Sequence, residues 1–510
     1  MVARVTTVAF QGLDIRSVDV QVQLANGLPA FTVVGLPDKA VAESRERVRC
    51  ALHALGLSLP AKRITVNLAP ADVVKEGSHY DLPIALGVLA VMDIIPRDEL
   101  AGWLALGELA LDGSITKVQG VLPTALHAMA QDLTLVCPAS CGAEAVWAGD
   151  DLPILAPAHI LELLNHIRGN QLLSRPQPRL SHEDDKAGIT DMASVKGQET
   201  AKRALEIAAA GGHNMLMLGP PGAGKSLLSS CLPGLLPPLS PRESLDVSMI
   251  HSLAGSLPEG GLIRARPYRN PHHSASLPAL IGGGSRATPG EVSLAHGGVL
   301  FLDELPEFQR TTLEALRQPL ESGEAVVARV NYHARYPARF QLIGAMNPCR
   351  CGYLGDPSQE CTKAPRCGEE YQGKLSGPFL DRIDLVLEVP AVQYAELRGE
   401  AGESSATVAR RVARARDIQL ARAQAHAKID GVAPVNAHIG AAYMDNVTRL
   451  SATAQPMLEK AAVQFKLSAR GVHRVLRVAR TIADLADAPD ELSQTHVAEA
   501  LSYRRFRALN

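Results

Sequence analysis

Met215-Leu216-Met217-Leu218-Gly219-Pro220-Pro221-Gly222-Ala223-Gly224-Lys225-Ser226 decides the fold. Four apolar residues predict a short buried strand, and the helix-prone Leu227-Leu228-Ser229-Ser230 follows the stretch. Between them stands GxxxxGK[ST], a phosphate loop in the strand-to-helix context that the motif needs. Its glycines let backbone N–H groups curl around phosphate oxygens, and the helix N-terminus adds its dipole. Gly219, Pro220, Pro221, Gly222, Ala223, Gly224, Lys225 and Ser226 are therefore candidate ATP-binding residues. Lys225 is placed to reach the β/γ-phosphates, and the Ser226 hydroxyl to ligate Mg²⁺. A chance glycine-rich turn does not put every specified position in register with both flanks.

Downstream, Gly298-Val299-Leu300-Phe301-Leu302-Asp303-Glu304 predicts a buried strand ending in two acids. Asp303 suits a Mg²⁺ ligand and Glu304 a residue that polarises the attacking water. A third apolar strand, residues 340–346, ends at Asn347, which is placed to orient that water. Arg382 stands between Asp381 and Ile383-Asp384; in a ring ATPase an Arg here reaches the neighbour's γ-phosphate. Arg470 opens a helix at Leu467-Ser468-Ala469-Arg470-Gly471 and suits an Arg swinging over the same nucleotide.

Working outward, residues 1–168 alternate strand-like runs (18–24, 30–34, 64–68) with helical ones (39–55, 81–91), a mixed α/β domain without a phosphate loop. Residues 169–187 read as a polar, Pro-containing linker. The α/β region with the phosphate loop runs over 188–395. From 396 to 510 the chain is Ala/Arg-rich with helical spacing, which predicts a helical domain.

Cys349, Cys351, Cys361 and Cys367 crowd into one connection, within residues 349–367. Four thiolates close a tetrahedral structural Zn²⁺ site, and a loop rich in Gly, Pro and charge needs such a clip. Free thiols are the bland alternative.

Residues 325–340 predict two strands around a turn, carrying Arg329, His333, Arg335 and Arg339 and no acid. A basic hairpin with aromatics suits DNA phosphates, and an ordinary solvated hairpin reads the same way. Residues 258–290 form a second insertion with Arg264, Arg266, Arg269, His272 and His273. Two adjacent histidines without a third partner are weak evidence for metal. Arg410, Arg411, Arg414, Arg416 and Arg422, then Arg470, Arg474 and Arg477, mark basic helices that fit an ATP-facing interface as well as DNA.

The chain has 510 residues, 46% hydrophobic and 20% charged, enough for about three domains and against wholesale disorder. Its 51 Lys and Arg offset 53 Asp and Glu to a net charge of -2, so nucleic-acid binding must come from local patches. The best apolar run, residues 82–95, is interrupted by Asp93 and falls short of a membrane span. No secretory signal is read, so a cytoplasmic location with reduced cysteines is expected.

Phosphate loop, acid pair, Asn347, Arg382 and Arg470 together resemble the AAA+ ATPases. Arg266-Pro267-Tyr268-Arg269-Asn270-Pro271-His272-His273-Ser274, Gly282-Gly283-Gly284, Pro289-Gly290-Glu291, Ala295-His296-Gly297-Gly298 and Asn347-Pro348-Cys349 narrow this to the magnesium-chelatase-like subgroup. Within it the whole chain resembles the ComM/YifB competence-associated family. The resemblance implies an ATP- and Mg²⁺-dependent ring motor, a homo-hexamer acting on single-stranded or branched DNA as a helicase or in branch migration. It places the chain in recombination or natural transformation, with recombination proteins as partners, and its members carry a similar Cys cluster. The alternatives are an ATP-driven remodelling subunit of a protein or metal-chelatase complex, and an ATP-dependent protease.

The first domain resembles the Lon-protease-type α/β fold in residues 66–72, 75–81 and 107–113. A Lon-type peptidase uses a Ser nucleophile and a Lys base. The family pattern puts the nucleophile position at His79, and the helix after Gly120 has no Lys. Ser78 with Lys75 or Lys117 is the remaining pairing, and Lys75 sits too near in sequence. The domain therefore reads as non-proteolytic, with ring assembly or DNA engagement as open roles.

Overall fold

The computed structural model describes residues 2–179, 189–258, 261–284, 287–329, 332–354, 361–397, 402–426, 435–488 and 491–504. The chain is mixed α/β, with two large sheets and a helical C-terminal segment. In the first sheet the strand order is Ala30–Val34, Arg63–Ala69, Asp14–Ala25, Val2–Gln11, Trp103–Ala105, Thr134–Val136 and Ile154–Leu155. Val18, Val20 and Val22 are buried while Asp19 and Gln23 are exposed, the period-2 pattern of a strand with one covered face. Helix Asp81–Val91 is buried along its whole length, which explains its apolar run. Its first residue, Asp81, is held by Arg47 at 2.6 Å. Among the described residues, no helix is long and apolar enough to cross a membrane.

The second sheet is all parallel, in the order Tyr268–Arg269, Val299–Leu302, Gln341–Met346, Met215–Leu218 and Leu385–Glu388. Every residue of Met215–Leu218, Val299–Leu302 and Gln341–Met346 is buried, as strands covered on both faces require. Leu218 lies opposite Met346, so the tips of these neighbouring strands end together. Open parallel sheets bind ligands at such carboxyl ends.

The C-terminal segment holds helices Ser405–Ala425, Ala441–Val447, Ala454–Gln464, Ala469–Leu485 and Gln494–Ser502. They do not form a separate core. One hydrophobic cluster runs from Met215, Phe301 and Ile343 through Ala204 and Ala208 to Val412, Val475 and Ile482. Three arginines of the basic helices hold this junction. Arg411 pairs with Glu206 at 2.5 Å, Arg416 donates to Ala209 O at 2.6 Å, and Arg474 reaches the buried Asp384 at 2.7 Å. Arg414 meets Asp487, and Arg422 pairs with the buried Asp484.

Residues 169–179 contain no helix or strand, yet Arg175 ties them to the first sheet's edge through Leu152 O (2.6 Å) and Gly149 O (2.9 Å). Residues 180–187 lie outside the described residues. The first region also docks on the second. Ser252 Oγ donates to the buried Glu144 at 2.5 Å, and Gly120 N donates to Ser252 O at 3.1 Å. Phe10 and Leu13 pack against Leu253, Ala287, Val327, Ala334 and Tyr336.

Candidate active site

The phosphate loop follows its buried strand directly. Gly222 and Gly224 have φ of 78° and 87°, a region that glycine enters without steric cost. Helix Lys225–Cys231 then starts and continues through the turn Leu232–Leu235. Lys225 Nζ donates to Gly219 O at 2.7 Å, Pro220 O at 2.9 Å and Asn347 Oδ1 at 3.1 Å. The ammonium is thus satisfied by three oxygens on the spot that phosphates would claim. Burial lowers its pKa, and nearby Asp303 opposes the shift.

Ser226 Oγ donates to Asp303 Oδ2 at 2.7 Å, so hydroxyl and carboxylate already face each other. A hard divalent cation takes such oxygen pairs, which is the fit expected for Mg²⁺. Asp303 Oδ1 accepts from Glu304 N at 2.8 Å. Glu304 has φ of 50°, a left-handed conformation that costs a non-glycine residue about 1–3 kcal/mol. Its half-exposed carboxylate lies 3.1 Å from His273 Nδ1. The sequence offered only the two adjacent histidines as a signal for that partner.

Arg382 and Arg470 sit elsewhere. Arg382 is buried, donates to Pro378 O at 2.5 Å and pairs with Glu321. It shares a cavity of about 200 Å³ with Glu321, Asp381, Arg470, His473, Arg474 and Arg477. The sequence reading has Arg470 swinging over the chain's own nucleotide; the structure places it beside Arg382, in a cavity that no phosphate-loop residue lines. Arg317 and Arg382 line a second, open groove together.

The sulfurs of Cys349, Cys351, Cys361 and Cys367 all lie within 4.8 Å of one another. Tetrahedral Zn–S bonds near 2.3 Å require sulfurs about 3.8 Å apart, so the four fit a closed zinc site with no open position. The clip touches the ATP site. A Cβ on Gly352 would meet Pro221 of the phosphate loop at 2.6 Å, and Gly352 has φ of +88°. On the other side, Pro348 O accepts from Gln372 Nε2 at 2.8 Å.

The hairpin pairs Glu324–Arg329 with Tyr332–Pro337 in antiparallel register. One face is buried, through Val327, Ala334 and Tyr336. Arg335 and Arg339 are exposed, and Arg339 stands at the hairpin's base, where its N–H donates to His296 Nδ1 at 3.0 Å. The side chains of Arg329 and His333 lie outside the described residues. Gly12 crosses directly over Arg335, where a Cβ would meet Arg335 O at 2.7 Å.

In the first region Ser78 Oγ donates to Glu108 Oε2 at 2.5 Å, and Lys75 Nζ donates to Pro70 O. Ser78 is therefore not activated by Lys75. Lys117 and Ser78 line one cavity of about 240 Å³, but the Ser78 proton is already committed to Glu108. His79 is buried with Nε2 on Val8 O at 2.9 Å, and burial pulls its pKa down to about 4.

A phosphate loop with an acid pair and a polar Asn at adjacent tips of a parallel sheet, joined to a helical segment, defines an AAA+ protein of the magnesium-chelatase-like kind. Family models agree along the chain. Residues 191–397 match magnesium chelatase subunit ChlI, residues 20–140 match subunit ChlI of Mg-chelatase, and residues 402–504 match the ChlI C-terminal region. The competence protein ComM of Haemophilus influenzae is 43% identical over 502 residues, 97% of this chain and 96% of that one. YifB of Escherichia coli is 42% identical over 507 residues, 99% of this chain and 97% of that one. The 38 kDa magnesium-chelatase subunit of Rhodobacter capsulatus is 28% identical over 245 residues, 45% of this chain and 63% of that one. The chain belongs to the ComM/YifB family.

Proposed function

We propose that this chain is an ATP-hydrolysing ring motor that acts on DNA in the cytoplasm, in recombination or natural transformation. The observation that carries the reading is the contact set at the strand tips: Lys225 with Asn347, and Ser226 with Asp303 next to Glu304. Lys225 would leave its loop carbonyls for the β/γ-phosphates of ATP. Ser226 and Asp303 would hold Mg²⁺, which would offset the negative charge of the phosphates. Glu304 takes the water's proton and Asn347 orients the water. Arg382, with Arg470 beside it, completes the site of a neighbouring copy in a homo-hexamer. Arg335 and Arg339, together with Arg329 and His333, contact DNA phosphates. The similarity to the competence protein ComM supports a competence role.

Steady-state ATPase with single-stranded, duplex and four-way-junction DNA tests this. Stimulation by one form is expected and names the substrate class. Robust turnover indifferent to all three would shift the reading to a protein or metal-complex client. Glu304→Gln is expected to bind ATP, cut hydrolysis by at least about 10²-fold and stabilise rings in size-exclusion chromatography. Wild-type turnover in that variant removes Glu304 as base.

The four cysteines hold a structural Zn²⁺ that keeps the connection folded against the phosphate loop. Elemental analysis is expected to find about one zinc per chain. Cys361→Ser should lose the metal, lower the melting temperature and weaken ATP binding through Gly352 and Pro221. Wild-type protein free of zinc yet equally stable would defeat the assignment. A protease role is disfavoured by the Ser78–Glu108 bond, and casein degradation abolished by Ser78→Ala would revive it.

A further inference from the structure

We propose that the cavity between the first region and the nucleotide-binding region is a binding site for a small zwitterion, an apolar α-amino acid or short peptide whose ammonium meets Glu108 and whose carboxylate meets Lys117. The site is separate from the phosphate loop, none of whose residues lines it.

The cavity holds about 240 Å³ and has walls from both regions: Ser78, His79, Glu108 and Lys117 on one side, Leu253 and Tyr336 on the other. Pockets for drug-sized ligands run to about 300–1,000 Å³, so a ligand of amino-acid to dipeptide size suits this one. Two opposite charges face the space without meeting. Glu108 Oε2 accepts from Ser78 Oγ at 2.5 Å, but no cation among the described residues pairs with this half-buried carboxylate. The nearby Arg47 is committed to Asp81, at 2.6 and 2.9 Å. Lys117 is exposed, and among the described residues no acid pairs with it. A ligand with a cation at one end and an anion at the other satisfies both groups.

His79 adds a third, independent pointer. It is 6% exposed, and its Nε2 donates to Val8 O at 2.9 Å. Burial pulls its pKa down to about 4, so the ring is neutral and Nδ1 is a bare acceptor. Nδ1 faces Gly77 of the cavity wall, where an added Cβ would meet it at 3.3 Å, and it has no hydrogen-bond partner among the described residues. The Ser78 hydroxyl has spent its proton on Glu108 and also offers only lone pairs. This end of the cavity therefore demands donors, which an ammonium supplies. A metal ion fits less well: among the described residues, only the four cysteines bring three or more ligand atoms together. A phosphate would meet Lys117 but also the carboxylates of Glu76 and Glu108. Phe10, Val118 and Leu253 give the remaining wall an apolar surface for a side chain.

The experiment is isothermal titration calorimetry and thermal unfolding of the full chain with each of the twenty L-amino acids and with Leu-Leu, Leu-amide and N-acetyl-Leu. An apolar amino acid or the dipeptide is expected to bind and, at about ten times its Kd, to raise the melting temperature by about 1–3 °C. Tighter binding of Leu-Leu than of leucine names a peptide as the source; the reverse names the free amino acid. Leu-amide lacks the carboxylate and N-acetyl-Leu lacks the ammonium, so each should bind at least about tenfold more weakly. Glu108→Gln, which still accepts from Ser78, and the surface change Lys117→Met should each cost a similar factor, whereas Lys225→Ala should bind as wild type does. Absence of binding by every probe overturns the proposal. So do N-acetyl-Leu binding as tightly as leucine, and unchanged affinity in folded Glu108→Gln and Lys117→Met.

Discussion

Lys225→Ala is expected to abolish ATP turnover. The ammonium donates to Gly219 O, Pro220 O and Asn347 Oδ1, at 2.7, 2.9 and 3.1 Å. Its burial means that little water replaces it, so the charge it brings to the γ-phosphate is weakly screened. A single donor aimed at developing charge is worth about 10²–10³-fold in rate, and loss of ground-state binding multiplies that. Fluorescent-nucleotide titration and phosphate release check the two effects separately. Turnover within tenfold of wild type would mean that Gly219–Ser226 is not the hydrolytic site.

Arg382→Ala is expected to leave ATP binding intact and to cut hydrolysis by about 10³–10⁵-fold, the scale of an arginine that neutralises transition-state charge from a neighbour. The side chain is parked, on Glu321 and Pro378 O, in a cavity that also holds Arg470, Arg474 and Arg477. Burial and the neighbouring arginines disfavour its charge there, so an incoming phosphate would relieve that repulsion. Mixing sharpens the test. Lys225→Ala chains retain Arg382, and Arg382→Ala chains retain Lys225, so mixed rings should recover turnover that neither variant has alone. Normal hydrolysis by Arg382→Ala passes the role to Arg317, which lines the adjoining groove.

What the sequence made legible was local or periodic. Strand Met215–Leu218 and helix Asp81–Val91 have the bounds that their apolar runs predict. Strand 64–68 extends by one residue at each end to Arg63–Ala69, because ladder pairing with Asp14–Ala25 continues past the apolar core. The acid pair and Asn347 stand out because each follows an apolar run, Val299–Leu302 and residues 342–346, and parallel pairing aligns the strand tips. Pairings between distant segments were not legible. Strand Tyr268–Arg269 is too short to show a period and exists by docking on Val299–Leu302. Ser78 with Glu108, Arg382 with Glu321 and His273 with Glu304 are choices of partner that only the folded topology makes. The arginines of helix Ser405–Ala425 fit an ATP-facing interface or DNA by sequence, yet their acids come from elsewhere in the fold, at Glu206, Asp484 and Asp487.

The shared core between the nucleotide sheet and the C-terminal helices bears on where the proposed motor would deliver its work. Swinging those helices open would expose Val412, Val475 and Ile482 and part Arg474 from Asp384. Each 100 Å² of apolar surface so exposed costs roughly 2.5 kcal/mol, and breaking a buried ion pair adds about 3–5 kcal/mol. Spending ATP on a hinge inside the protomer is therefore unfavourable. In the proposed ring, the compliant joint would then be the seam that Arg382 is proposed to form with the next copy, and the stroke would be a rolling of rigid blocks against one another.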